Sequence, residues 1–374
     1  MKKIVFINRY HLYDSLVTKL ARGNSVTVIE IGLKCKSLVG VTTYKTKFFT
    51  VGLDWLFNKV LQKEITVPVY LPALGKILVK EKPEVIVVSD FYHWYFWQVI
   101  KYLQKNPATK LYLLSESKRL PHNYFSKLVF RIFLYYLQKR ERYLTKIIVP
   151  TEAGEHFWQR ELPTKVVEIM PAPIDTGLFQ PAVNSKGKTD KVLRLVMNAR
   201  YAAYKKHVDL LDALVRLRDQ GKLFHLALLS RDKAGQDRIV GLIKERRLES
   251  MVSFLPAVSQ AELPALYQDY DVLVLPSYNE AVGMVVPEAM ACGLPTITSD
   301  TVGANVYVEE NVTGFIFTTG NVADLEGKLR QCYDSARLTV MGQAARQQIV
   351  RHFSVTALSD KFTNLFTDES AKLD

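Results

Sequence analysis

The sequence has little cysteine. Its 374 residues hold three, Cys35, Cys292 and Cys332. An odd, scattered set with no metal-ligand spacing excludes a disulfide framework and points to a reducing, cytoplasmic setting. No apolar run approaches the roughly 20 residues a membrane span needs. The most apolar helical candidate, Leu128 to Leu137, is half that and carries Arg131. Met1-Lys2-Lys3 leads into too few apolar residues before Arg9 for a signal peptide. Internal repeats, low-complexity segments and recognisable nucleic-acid motifs are also lacking, which argues against a nucleic-acid partner. No loop carries a DxD-like acidic pair suited to a metal ion.

Acidic residues are scarce in one half only. Residues 1–182 hold 27 Lys plus Arg against 14 Asp plus Glu, while residues 183–374 hold 23 of each. The whole net charge of +13 therefore belongs to the N-terminal half. Such a one-sided field suits an anionic partner: a membrane surface at the inner face of the plasma membrane, a lipid phosphate, an acidic glycan or a nucleic acid.

Short apolar runs alternate with helical patterns along the chain. Strands are expected at Lys3–Asn8, Ser25–Glu30, Val85–Val88, Leu111–Leu114 and Ile147–Val149, with helices at Leu12–Arg22 and Asn123–Tyr143 among them. Thr151 is a good N-cap for a further helix. Pro171–Lys191, rich in proline and poor in periodic apolar positions, reads as a linker. The alternation then restarts with strands at Val192–Met197, Phe224–Leu229 and Val252–Phe254 and helices at His207–Asp219, Gln236–Arg246 and Gln260–Tyr267. This predicts two doubly wound α/β domains with parallel sheets covered on both faces. The expected boundaries are 1–180 and 181–352, with a C-terminal helix over 353–374.

Ligands in such sheets sit beyond the carboxyl ends of strands. Asp90, Glu116, Arg200 and Glu280 all follow apolar strand candidates directly. The richest stretch is Tyr278 to Gly293, YNEAVGMVVPEAMACG, between the apolar runs Asp271–Pro276 and Pro295–Thr298. A helix starting near Gly283 or Met284 and ending at Gly293 places Glu280 before it and Glu288 one turn inside. The N–H groups of Gly283, Met284 and Val285 then form a site for phosphate. Two flanking carboxylates can hold hydroxyls on either side of a diphosphate, which matches a nucleotide sugar. On these residues alone, Glu280 reads first as an electrostatic cap and Glu288 as a solvated face residue. Upstream, Arg200 and Lys206 follow a strand and precede a helix, so both cations can reach one diphosphate; a solvated basic loop is the bland alternative.

The pair Glu280–Glu288, followed by AMACGLP, resembles the E-x7-E signature of the GT4 family of retaining glycosyltransferases, which have the GT-B fold. The resemblance covers most of residues 190–330 and the N-terminal half in outline. It implies two domains facing across a cleft, with the last helix crossing back to the first domain. It implies diphosphate contacts for Arg200 and Lys206, the sugar for Glu280 and the ribose for Glu288. It also implies transfer of a hexose with retention, without an obligatory metal or cofactor, from a UDP- or GDP-linked sugar to a glycan or lipid-linked acceptor. Bacterial cell-surface polysaccharide or glycolipid synthesis is the expected setting.

Ala199 and His207 stand where the family has glycines, predicting a tighter donor pocket. No glycine follows the first strand, where Asn8-Arg9-Tyr10-His11 stands instead. Acceptor candidates are Asp90, His93, Glu116 and Arg119. Glu116 is either a base for the acceptor hydroxyl or a turn residue, and His93 lies in an aromatic run that suits a core. Asp300 suits a turn. The rival readings are a GT-B epimerase or phosphorylase, and a non-catalytic protein that binds an anionic polymer or membrane.

Overall fold

A computed structural model of the protein describes residues 1–7, 11–31, 38–46, 49–50, 69–116, 124–181, 192–278 and 280–367. It divides into two units: residues 1–173 with 358–374, and residues 174–357. The division comes upstream of the expected 180/181 boundary because the last part of the proline-rich stretch is already packed. Ile174 bridges to Ser354, and Phe179 lies in the core of the second unit. Arg346 fixes this segment by donating from its guanidinium to the carbonyls of Thr176, Phe179 and Ala291.

The first unit carries a parallel sheet. Its spatial order is Thr42–Thr46, Ser25–Ile31, Lys3–Ile7, Val85–Ser89, Lys110–Leu114, Lys146–Val149 and Val167–Ile169. The strand order reverses between Lys3–Ile7 and Val85–Ser89, as in a doubly wound sheet. Val85–Ser89 is buried along its whole length. A strand covered on both faces reads as an unbroken apolar run, which is why its sequence shows no alternation. A short antiparallel pair, Phe49–Thr50 with Val69–Tyr70, stands outside this sheet.

The second unit repeats the plan. Its parallel sheet runs Val252–Leu255, Phe224–Leu229, Leu193–Asn198, Val272–Leu275, Thr296–Ser299 and Gly314–Phe317. The reversal falls between Leu193–Asn198 and Val272–Leu275, the strands that precede Arg200 and Glu280.

The final helix, Val355–Thr367, packs on the first unit from Leu358 onward. Phe362 and Phe366 meet Phe6 at ring-centroid distances of 6.4 and 5.7 Å, and Phe366 meets Tyr112 at 5.2 Å. The Lys361 ammonium donates to the Ile169 carbonyl at 2.8 Å.

The helix expected over Asn123–Tyr143 is shorter. It runs Tyr124–Gln138 and gives way to a 3-10 turn at Glu141–Tyr143. Lys139, Arg140 and Arg142 therefore lie beyond its end, where cations meet the carbonyl-rich terminus favourably. Among the described residues no helix is long and apolar enough to cross a membrane.

Candidate donor and acceptor sites

In the second unit, two loops leave neighbouring strands and are tied together. The first runs from Ala199 through a 3-10 turn at Ala203–Lys205 to Lys206, which has φ +56° and precedes helix His207–Asp219. The second leads through Tyr278 and Glu280 into helix Val285–Ala291. The Tyr278 N–H donates to the Tyr204 carbonyl at 2.6 Å. The Lys205 ammonium meets Glu280 Oε1 at 2.5 Å, with the Lys205 side chain 8 % exposed. Arg200 Nη2 donates to the Tyr204 hydroxyl at 2.7 Å.

These loops border a pocket of about 230 Å³ whose lining includes Asn198, Arg200, Arg231, Gln260, Val285 and Glu288. The Gln260 amide donates to Glu288 Oε1 at 3.2 Å. Burial pushes the Glu288 carboxyl up to about 7, although that hydrogen bond and the Arg231 charge pull it down.

Gly283 enters the site helix with φ +77°, so the helix begins at Val285 and not at Gly283 or Met284. A side chain at Gly283 would also crowd Val302 at 3.1 Å and Leu275 at 3.3 Å. The turn is closed by the Val286 N–H, which donates to the Gly283 carbonyl at 3.0 Å. Pro287 falls in the first turn, where its missing donor costs little.

The sequence-predicted residues thus gather as follows. Arg200, Val285 and Glu288 line one pocket. Glu280 is joined to Arg200's loop through Lys205. Lys206 lies one residue further on and turns toward Asp209, 3.9 Å away. Ala199 lines the pocket, as its substitution for glycine suggests. His207 does not: it is 2 % exposed, with its ring 5.6 Å from that of Tyr201. Neither of its nitrogens has a hydrogen-bond partner, and burial pushes it down to about 4. Asp300 accepts from the Thr319 N–H at 3.0 Å, a turn role.

Sequence reasoning missed Lys205, Arg231 and Gln260. Arg231 was within reach of the strand-end rule, because it follows Phe224–Leu229 closely. Lys205 and Lys206 are adjacent and chemically identical, so only the turn geometry separates their directions.

The first unit holds its own cluster. Asp90 follows strand Val85–Ser89 in a left-handed conformation, φ +63°, and its N–H donates to the Leu114 carbonyl at 3.0 Å. The Tyr92 hydroxyl donates to Asp90 Oδ2 at 2.9 Å. Burial, helped by the Asp90 charge, pushes Glu116 up to about 7. His93 is buried between the rings of Tyr92 and Tyr95, at 4.7 and 4.8 Å. Arg119 and Arg9 lie outside the described residues.

Residues 180–348 match the family model described as Glycosyl transferases group 1. A D-inositol 3-phosphate glycosyltransferase of Actinosynnema mirum is 30 % identical over 177 residues, 43 % of this chain and 42 % of that protein. The chain therefore matches less than half the length of that curated relative. Sucrose-phosphate synthase of Thermosynechococcus elongatus superposes with a TM-score of 0.74 at 18 % identity, covering 100 % of both chains. HepE of Anabaena, solved with UDP and glucose, gives 0.72 at 16 % identity over 98 % of this chain and 100 % of its own. The chain has the GT-B fold, and its residues 180–348 are similar to the glycosyl transferases group 1 family.

Proposed function

We propose that the protein is a retaining glycosyltransferase that moves a hexose from a nucleotide diphosphate sugar to a glycan or lipid-linked acceptor, in the synthesis of a bacterial cell-surface polysaccharide or glycolipid. The observation that carries this reading is the charge arrangement beside one pocket of the second unit. Arg200 and Glu288 line it, while Lys205 holds Glu280 on the joined loop. The match to the glycosyl transferases group 1 model and the likeness to HepE, solved with UDP and glucose, support it.

In this reading Glu288 holds the ribose and Glu280 orients hydroxyls of the sugar. Arg200 and Lys206 meet the diphosphate and stabilise charge as it develops on the leaving group. The bond from the anomeric carbon to the diphosphate oxygen breaks. A bond to the acceptor hydroxyl oxygen forms on the same face. Glu116, held near neutrality, is suited to take the acceptor's proton. Positioning and fixed charge carry the rate, and no metal ion is required.

Calorimetry with nucleoside diphosphates tests the donor half. Glu288→Ala should weaken binding of the free nucleotide about tenfold or more, while Glu280→Ala should leave it nearly intact and depress transfer. The reverse pattern would exchange the two roles, and no binding of any nucleoside diphosphate by the parent would remove them. Product NMR should show the donor's anomeric configuration, formed equally well in the presence of a chelator. Release of nucleoside diphosphate only when acceptor is present would separate transfer from epimerase or phosphorylase chemistry.

A further inference from the structure

We propose that the face of the first unit formed by helices Trp94–Lys105 and Tyr124–Gln138 docks onto an anionic membrane surface. The inference rests on this face alone and stands or falls independently of the donor site.

A surface helix normally buries one apolar stripe and turns polar residues to water. Tyr124–Gln138 has two apolar stripes. Phe130, Phe133, Leu134 and Leu137 are buried in the core. Leu128, Ile132, Tyr135 and Tyr136, at the next helical spacing round, are 46, 46, 56 and 47 % exposed. Trp94, on the neighbouring helix, is 42 % exposed. The two helices meet through Trp94 and Phe133, at a centroid distance of 5.4 Å, and through Trp97 and Tyr136, at 6.0 Å. The exposed aliphatics and aromatics therefore belong to one continuous face. Patches of this kind on a soluble protein mark an interaction site.

Charge selects the occupant. Neither helix contains an acidic residue. Residues 91–140 hold nine Lys or Arg against a single acid, Glu116. Lys101, Arg131 and Lys139 are exposed along the two helices and at the end of the second, with Arg142 just beyond. Lys139 lies 5.6 Å from the centre of the Tyr135 ring, and Arg140 lies 5.5 Å from that of Trp97. Long basic side chains laid over rings that end in N–H or O–H groups suit a lipid interface, with apolar bodies toward the acyl chains and cations at the headgroups. A protein partner would have to supply both a broad apolar face and a matching acidic rim. An anionic bilayer supplies both by its nature.

The face also neighbours the acceptor candidates. Phe130, on the buried side of the same helix, meets Phe91 edge to face at 4.9 Å and lies 5.9 Å from Tyr92, the residue that bonds Asp90. Docking here would bring the headgroup region toward that cluster.

The test is sedimentation of the full chain with vesicles of mixed phosphatidylglycerol and phosphatidylcholine, and with phosphatidylcholine alone. Binding should favour the anionic vesicles and fall at least tenfold between about 0.1 M and 1 M salt, as the Debye length shrinks from about 10 to about 3 Å. Arg131→Gln/Lys139→Gln/Arg142→Gln should weaken it about 10- to 100-fold. Leu128→Ser/Ile132→Ser should weaken it about tenfold. Melting temperatures should stay close to the parent's, because these side chains are exposed. As a readout that needs no folding-sensitive variant, brominated lipids should quench the parent's tryptophan emission, and Trp94→Phe should lose most of that quenching. No binding to anionic vesicles at low salt, or binding unchanged by both multiple variants, would overturn the proposal. So would a parent dimer that Leu128→Ser/Ile132→Ser dissolves, since the face would then belong to a second copy.

Discussion

The two units share an architecture and oppose each other in electrostatics. In the second, acidic and basic site groups come in pairs: Lys205 with Glu280, Lys206 with Asp209, and Arg231 acting on Glu288. Its halves of charge balance, and its cations are held in place by tight turns. In the first, the described site groups are like-charged. Asp90 and Glu116 repel, and the Tyr92 hydroxyl bonds one of them. Fixed, paired charges suit recognition of an anion whose own charge changes little on binding. Two crowded carboxyls, one held near neutrality, suit movement of a proton. The doubly wound sheet offers the same strand-end position in both units, and the two units place different side-chain charges there.

The largest expected effect would break the second unit's pairing. Arg200→Ala and Lys206→Ala should each slow transfer by roughly 10²-fold, about 3 kcal/mol of transition-state stabilisation. Lys205→Ala should do at least as much and also lower the melting temperature, since it removes a 2.5 Å ion pair from a mostly buried Glu280. Lys206→Gly sharpens the distinction between the two lysines. Its φ of +56° suits glycine, so the variant should gain up to about 1 kcal/mol in stability while losing rate. Steady-state kinetics beside thermal melts check all four. Lys205→Ala with transfer within a few-fold of the parent would reduce the Lys205–Glu280 pair to a structural tie.

The next effect is in the first unit. Glu116→Gln should slow transfer about 10- to 100-fold and leave the affinity for nucleoside diphosphate unchanged. In the parent, kcat should climb as pH rises through about 7, where Glu116 ionises, and Glu116→Gln should lose that limb. A pH profile unaltered in the variant would return Glu116 to a turn residue.

The sheets were legible because buried parallel strands write themselves as apolar runs. Phe224–Leu229 and helix His207–Asp219 match their expected limits. The helix expected over Gln260–Tyr267 begins only at Leu263, since Pro264 favours the first turn and the preceding residues form a turn held by the Ser259 N–H donating to Glu262. The Glu280–Glu288 spacing was visible because a short helix converts sequence separation into a fixed offset. Lys205 was not, because a 3-10 turn followed by a left-handed residue reverses which of two adjacent lysines faces the carboxylate. His207 shows the same limit: the expected intrusion on the pocket is a buried ring against Tyr201.

The smallest effect concerns stability against pH. Glu116 and Glu288 both rise from an ordinary 4.5 to about 7 in the folded protein. A carboxyl raised by folding is protonated in the native state where the unfolded chain has already ionised. Each therefore removes stability as pH climbs from about 4.5 to about 7, on the order of 1 to 3 kcal/mol. His207 works the other way. It falls from 6.5 to about 4, so the unfolded chain binds its proton first and stability is gained as pH climbs across that interval. In the second unit His207 thus offsets much of Glu288. His207→Phe keeps an aromatic ring against Tyr201 and removes two unpartnered buried nitrogens, so at neutral pH it should be neutral or mildly stabilising. Below pH 6.5 its advantage over the parent should widen steadily, and the fall in stability from pH 5 to pH 7 should steepen. Glu116→Gln should make the same fall shallower. Denaturant melts of the parent and both variants across this range measure the two slopes, and parallel curves for parent and His207→Phe would show that His207 is protonated alike in the folded and unfolded chain.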